Sequence, residues 1–239
     1  MDKARPEDKG KPPASRRIVI AIDGPAGSGK STLAARLARR YGYINIETGA
    51  MYRALALQAI LRRVSVDNGE ALAALARQLR IELRPRNEDN QVLVDGQDVT
   101  ERIRLQDVTD AASRVSIHPP VREWMVRRQQ EMGAGGGIVM EGRDIGTKVF
   151  PQAEVKIFLD AAPEVRGTRR FLQTPGAIAK EAAVLAELQA RDERDRTRAS
   201  SPLVPAPDAV AIDSTHLTLD QVVERAIAIV EDGLQREKS

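Results

Sequence analysis

Apolar positions along the chain fall into short unbroken runs separated by stretches of helical spacing. Ile18 to Ile22 is a continuous apolar run of the kind required by a parallel strand buried on both faces. A glycine-rich turn follows. From Lys30 to Tyr41 the residues Leu33, Ala34 and Leu37 recur at helical spacing, and Gly42 stands at the C-cap position. Further strand-like runs lie at Tyr43 to Ile46, Ile138 to Met140, Val155 to Leu159 and Val210 to Ile212, with helical segments between several of them. That alternation predicts an α/β fold with an open parallel sheet flanked by helices. The Val121, Trp124, Met125, Met132 stripe predicts a core-facing helix side.

Two regions break the rhythm. Ile81 to Val99 reads Ile-Glu-Leu, then Val-Leu-Val, then the hairpin-type pair Asp95-Gly96, then Gln-Asp-Val, which predicts a small antiparallel insertion. Residues 163 to 203 form an arginine-rich helical stretch interrupted by Thr174-Pro175-Gly176, the pattern of a mobile flap. The first 15 residues are charged, rich in Pro and Lys, and without apolar periodicity, as expected of a disordered tail.

Composition narrows the chemistry. With no cysteine and two isolated histidines, thiolate nucleophiles, disulfides and histidine-based metal sites are set aside. The first 17 residues hold six basic and three acidic side chains, the whole net charge of +3, so the remaining 222 hold 31 of each sign. A neutral body with 3% aromatic residues argues against a nucleic-acid partner. No run approaches the roughly 18 to 20 apolar residues of a membrane span, and no apolar signal core opens the chain. The expectation is a cytoplasmic protein without a membrane partner.

Gly24-Pro25-Ala26-Gly27-Ser28-Gly29-Lys30-Ser31, with Thr32 following, fits the G-x-x-x-x-G-K-S/T phosphate loop in its required setting between strand and helix. The glycines let backbone N–H groups approach phosphate oxygens at the positive end of the helix. Lys30 is the candidate for the β- and γ-phosphates of ATP, and Ser31 for Mg²⁺. The loop alone does not separate kinases from GTPases or motors. The absence of an N-K-x-D string and the neutral body favour a compact metabolic kinase.

Phosphoryl transfer between two polyanions needs cations at both phosphates and in-line positioning. Arg53, after a Thr-Gly turn, and Arg143, after a strand end, stand where they can face the crevice at the carboxyl ends of the strands. Surface salt bridges are the alternative for both. Arg191, Arg194, Asp195 and Arg198 share one helical face, which taken alone also describes a solvated, salt-bridged helix.

The phosphate loop, Glu47-Thr48-Gly49-Ala50-Met51-Tyr52-Arg53, Glu141-Gly142-Arg143-Asp144-Ile145-Gly146-Thr147, Val149-Phe150-Pro151 and Arg191-Asp192-Glu193-Arg194-Asp195-Arg196 occur in the order found in bacterial cytidylate kinases. The chain resembles that family from about Arg17 to near its C-terminus. The resemblance implies a P-loop kinase of the nucleoside monophosphate kinase fold, with a core over 16–62, 123–162 and 204–239, a monophosphate-binding insertion over 63–122 and a lid over 163–203. It implies γ-phosphate transfer from ATP to CMP or dCMP, with UMP a poorer acceptor, by a monomer. It places Thr48 among the acceptor contacts, Arg191 and Asp195 on the ribose, Arg198 with Arg53 and Arg143 on phosphates, and Ser113, Arg122 and Asp144 on the base. A carboxylate accepts from the cytosine amino group, which is the chemistry that discriminates against uracil. On sequence alone Ser113 also fits a packed helix and Arg122 a surface beside Trp124.

Two features depart from the family pattern. Glu47 stands where the family usually has Asp, adding a methylene, and the segment between Arg170 and Arg191 is slightly short. Other readings remain at this level: a kinase for UMP, AMP or shikimate, or a nucleotide-dependent regulator. His118, ahead of Pro119-Pro120, reads as a loop residue leading into a helix, and His216 as a surface residue near a helix start.

Overall fold

The computed structural model describes residues 17–86, 89–172 and 181–236. Five parallel strands form the central sheet: β1 (Val19–Asp23), β2 (Ile44–Glu47), β6 (Ile138–Gly142), β7 (Val155–Asp160) and β8 (Val210–Asp213), in the order β2-β6-β1-β7-β8. Both β1 and β6 are buried along their whole length, which explains their unbroken apolar runs. The expected strands are all present, and β6 continues two residues beyond Met140, bringing Glu141 and Gly142 into the ladder.

Helix α1 (Lys30–Tyr41) follows the phosphate loop and ends at Gly42 in the left-handed conformation, φ 65°. It packs with α8 (Leu219–Arg236) on one face of the sheet, where Ile20, Ile22, Leu33, Leu37, Ile157 and Val230 share a core. The other face of β1 and β6 meets Ile145 and Val149 of a π-helical turn, Ile145–Val149.

A second core lies beside the sheet. Helices α2 (Thr48–Leu61), α3 (Gly69–Gln78), α4 (Gln106–Val115) and α5 (Pro119–Gly133) gather Met51, Leu55, Leu72, Val108, Val121 and Met125. Val121 and Met125 are fully buried, and Trp124 and Met132 pack against the clusters, as the stripe predicts. The predicted antiparallel insertion is a three-stranded sheet of β3 (Ile81–Arg86), β4 (Asp89–Val94) and β5 (Gln97–Asp98). Asp95 and Gly96 both take positive φ, 51° and 84°, the conformation a two-residue hairpin between twisted strands requires. His118 caps α5 ahead of Pro119, its Nε2 2.8 Å from the Val66 carbonyl, and His216 is exposed.

The arginine-rich stretch is a helix pair, α6 (Pro163–Leu172) and α7 (Glu181–Thr197), packed on each other. Thr174-Pro175-Gly176 and the N-terminal 15 residues lie outside the described residues. Among the described residues no helix is long and apolar enough to cross a membrane.

Candidate functional site

The parallel register brings the carboxyl ends of four strands to one rim. Asp23 stands opposite Gly142 and Phe158, and Glu47 opposite Glu141. The segments that leave this rim carry the phosphate loop after β1, Thr48 and Arg53 after β2, and Arg143 and Asp144 after β6. Topology therefore assembles one crevice from segments more than 90 residues apart in sequence.

At the phosphate-loop end the backbone passes so close to β7 that a Cβ on Gly24, φ 152°, would lie 2.0 Å from the Leu159 carbonyl oxygen. The loop turns into α1, whose first turn has no side-chain cap among the described residues, the arrangement in which helix-start amides can meet an anion. Lys30 is buried, and its Nζ donates to the Pro25 carbonyl at 2.7 Å and approaches Ser28 Oγ at 3.4 Å. Burial, with Arg143 close by and only partly offset by Glu141, pulls its ammonium down from 10.5 to about 7. Ser31 Oγ donates to Glu141 Oε1 at 2.8 Å, and Thr48 Oγ1 donates to the Glu141 carbonyl at 2.8 Å. Burial raises the Glu141 carboxyl against the pull of Lys30, and the neighbouring Glu47 adds to the rise.

Across the crevice Arg53, Arg143 and Arg198 each have a carboxylate partner. Arg53 pairs with Glu47, whose carboxyl is held low because Arg53 outweighs the burial that would raise it. Arg143 donates from Nε to Asp195 Oδ2 at 2.9 Å and from Nη1 to the Gly142 carbonyl at 3.2 Å. Arg198 is buried, donates from Nε to the Ser201 carbonyl at 2.6 Å and lies 3.5 Å from Asp195 Oδ1. Burial is outweighed at Asp195 by Arg143, Arg191 and Arg198, which keep its carboxyl low. Arg191, buried beside Arg143, falls to about 10 and stays charged at neutral pH.

The polar atoms left over point to a ligand. Arg53 Nε, Arg191 Nε, Arg198 Nη2 and Asp192 Oδ1 are buried without hydrogen-bond partners among the described residues. Three spare guanidinium donors, buried at the crevice, carry unmet capacity for anionic or hydroxyl oxygens.

The far end is narrower. Arg122, 2% exposed, donates to Asp144 Oδ2 and at 3.0 Å to the Ser116 carbonyl, and its guanidinium lies 5.7 Å from the centre of the Tyr52 ring. The alternative of a surface Arg122 is thereby removed. Arg198 Nη2 lies 3.9 Å from Asp144 Oδ1. Ser113 is buried on α4 and accepts from Arg194 Nε at 3.1 Å.

The structure thus gathers Lys30, Arg53, Arg143, Asp144, Arg191, Asp195 and Arg198 at one crevice, with Ser113 and Arg122 at its end. Sequence reasoning missed five residues beside them. Asp23 bonds the turn after Asp144; Glu141 holds Ser31; Tyr52 presents its ring to Arg122; Arg166 and Asp192 tie the helix pair to the phosphate loop. Arg166 Nη1 donates to the Ala26 carbonyl at 3.0 Å, and a Cβ on Gly27 would lie 2.9 Å from the Arg166 carbonyl oxygen. A charged residue closing an all-apolar strand was a signal for Asp23. Nothing in the sequence singles out Arg166 among the 30 other arginines and lysines of the body.

The Cytidylate kinase family profile matches residues 20–232. A cytidylate kinase of Geobacillus kaustophilus is 50% identical over 224 residues, covering 92% of this chain and 99% of that protein. One from Vibrio cholerae is 45% identical over 223 residues, covering 92% and 99%, and one from Pasteurella multocida is 43% identical over 222 residues, covering 92% and 98%. With these matches spanning the phosphate loop, the rim and the helix pair, the chain belongs to the cytidylate kinase family.

Proposed function

We propose that the chain transfers the γ-phosphate of ATP to the phosphate of CMP or dCMP. The observation that carries this reading is the polarity of the crevice: a phosphate loop with Lys30 at one end, spare arginine donors in the middle, and the Ser113, Arg122, Asp144 set at the other. The acceptor's phosphate oxygen is already a nucleophile, so positioning and charge stabilisation do the chemical work.

In this reading the loop amides from Gly24 to Thr32 hold the donor polyphosphate. Lys30 leaves the Pro25 carbonyl for the β- and γ-phosphates, gaining a full charge as it does so. Arg53, Arg143 and Arg198 exchange their carboxylate partners for phosphate oxygens, and Arg143 and Arg198 stabilise the charge on the group in transit. Thr48 fixes the Glu141 backbone beside them. Arg191 and Asp195 hold the ribose. At the base, Asp144 accepts from the cytosine amino group, while Arg122 and Ser113 satisfy the ring carbonyl and nitrogen; uracil, with a carbonyl in place of the amino group, meets a carboxylate it cannot satisfy.

The residues present suit Mg²⁺, a hard cation that takes oxygen ligands and keeps several waters. Ser31 would hold it, with its hydroxyl proton committed to Glu141 and its lone pairs left for the metal. Bound there, Mg²⁺ neutralises donor phosphate charge. The helix pair α6–α7 acts as the lid, since it carries Arg191, Asp195 and the approach to Arg198. The reading includes a cytoplasmic location and a monomer, the latter checked by sedimentation of the purified protein.

The test is ADP release with ATP and Mg²⁺ against CMP, dCMP, UMP, AMP, GMP and shikimate. Turnover with CMP and dCMP well above the others is expected. Turnover confined to another acceptor would overturn the base assignments, and no acceptor-dependent turnover would overturn the kinase reading.

A further inference from the structure

The carboxylate immediately ahead of the phosphate loop makes its bonds elsewhere. Asp23 closes β1, is 5% exposed, and accepts from the Ile145 amide at 2.8 Å through Oδ1 and from the Gly146 amide at 2.7 Å through Oδ2. Those two amides open the π-helical turn Ile145–Val149, a conformation found frequently at functional sites. The Asp144 carbonyl in turn accepts from the Lys148 and Val149 amides at 2.8 and 3.2 Å. Asp144, with φ −148° and ψ 24°, is therefore gripped on its C-terminal side by four hydrogen bonds, and its carboxylate is left to face Arg122 and Arg198.

The arrangement is costly, which argues that it serves something. A carboxylate buried behind a phosphate loop is disfavoured, and burial lifts Asp23 to about 6 even against its two amide donors. An apolar residue would end β1 as well. Only an ionised carboxylate offers an acceptor to both amides at once; a hydroxyl or amide side chain satisfies one and leaves the other poorly placed.

We propose that Asp23 is a positioning residue for acceptor selection: by holding the Ile145 and Gly146 amides it fixes the direction of the Asp144 carboxylate, so that a residue adjoining the donor loop governs discrimination between cytosine and uracil. The inference rests on the reading of Asp144 as a base contact. It predicts a dissociation that chain position alone would not. The loop itself stays anchored by pairing of β1 with β6 and β7, and the Asp23 carboxylate acts on the Lys30 ammonium less than burial, Arg143 or Glu141 does, so donor binding changes little while acceptor discrimination is lost.

The experiment measures kcat/KM for CMP and UMP, and Kd for ATP, in Asp23→Asn, Gly146→Ala and Asp144→Asn. In Asp23→Asn the CMP value is expected to fall about tenfold or more, the CMP to UMP ratio at least about threefold, and the ATP Kd to stay within about twofold. A Cβ at residue 146 would lie 3.2 Å from Cδ of the buried Lys156, whose Nζ is held by Pro151 and Asp208, and 3.4 Å from Asp23 Oδ2, so relief of the closer contact displaces residue 146 relative to Asp23. Gly146→Ala is expected to shift the ratio in the same direction by less, and it decides the matter if Asp23→Asn does not fold. Equal losses for CMP and UMP in both variants, beside an Asp144→Asn that does move the ratio, would overturn the positioning role and leave base reading standing. A ratio unmoved by Asp144→Asn would overturn both, and an ATP Kd weakened as much as the CMP value would also overturn the proposal.

Discussion

Binding of ATP at pH 8 should draw a proton from solution, and Lys30 is the group that takes it. In the free protein its ammonium is buried near Arg143 and sits at about 7. A group at that value is about nine-tenths neutral at pH 8, half neutral at pH 7 and about one-tenth neutral at pH 6. Placed against polyphosphate oxygens, the ammonium returns towards its ordinary range and becomes fully charged. Uptake is therefore about 0.9 proton at pH 8, falling to about 0.1 from this group at pH 6. Other titrating groups in the crevice do not imitate this at pH 8: Asp23, at about 6, is already ionised, and Arg191, at about 10, is already charged. The assay is calorimetric binding of a non-hydrolysable ATP analogue with Mg²⁺ in two buffers of different ionisation enthalpy; the slope of observed heat against buffer enthalpy is the proton count. Lys30→Met should reduce that slope to near zero. Intact binding with no buffer dependence at pH 8 in the unaltered protein would refute the reasoning.

The same shift has a stability sign. Lys30 has a folded value below its ordinary 10.5, so the stability linked to it is present above that pH and lost as pH falls through about 7. Lys30→Met should accordingly raise the melting temperature of the ligand-free protein at pH 6 more than at pH 9, while abolishing transfer; an equal rise at both would contradict the assignment. Glu47→Gln releases Arg53 from its carboxylate partner, so KM for CMP should fall by about two- to tenfold, read from acceptor titrations at saturating ATP. Gly24→Ala would force a Cβ to 2.0 Å from the Leu159 carbonyl oxygen at φ 152°, and urea titration should show a loss of about 2 kcal/mol or more. Arg166→Met leaves Asp192 buried without its cation and frees the Ala26 carbonyl; thermal melts should show a loss on the order of 3 kcal/mol, with weaker ATP binding.

The residues that were legible in the sequence are those whose signals are local. The phosphate loop could be read because an apolar strand precedes it and an amphipathic helix follows, and both stand where expected. Asp95-Gly96 announced its hairpin through the backbone conformation it favours. The spacing of Arg191, Asp195 and Arg198 put them on one side of a helix, but spacing could not say that this side is buried against Arg143 rather than solvated. What stayed hidden depends on contacts far apart in the chain. Asp23 meets Ile145 across 122 positions and Ser31 meets Glu141 across 110, pairings fixed by strand order rather than by any short pattern. Spacing put Arg194 on the same helical face, but its bond to Ser113, 81 positions away, depends on where the fold sets α4. The π-helical turn likewise has no periodicity that five residues can display.

Phosphoryl transfer to the cytidine acceptor is tested most directly by incubating the protein with ATP labelled in its γ-phosphate, Mg²⁺ and CMP, then separating the nucleotides. Label recovered in CDP, in step with ADP formed and far exceeding label in UDP from a parallel UMP reaction, is the predicted result. Label released as inorganic phosphate, or transferred equally to UMP, would contradict the account.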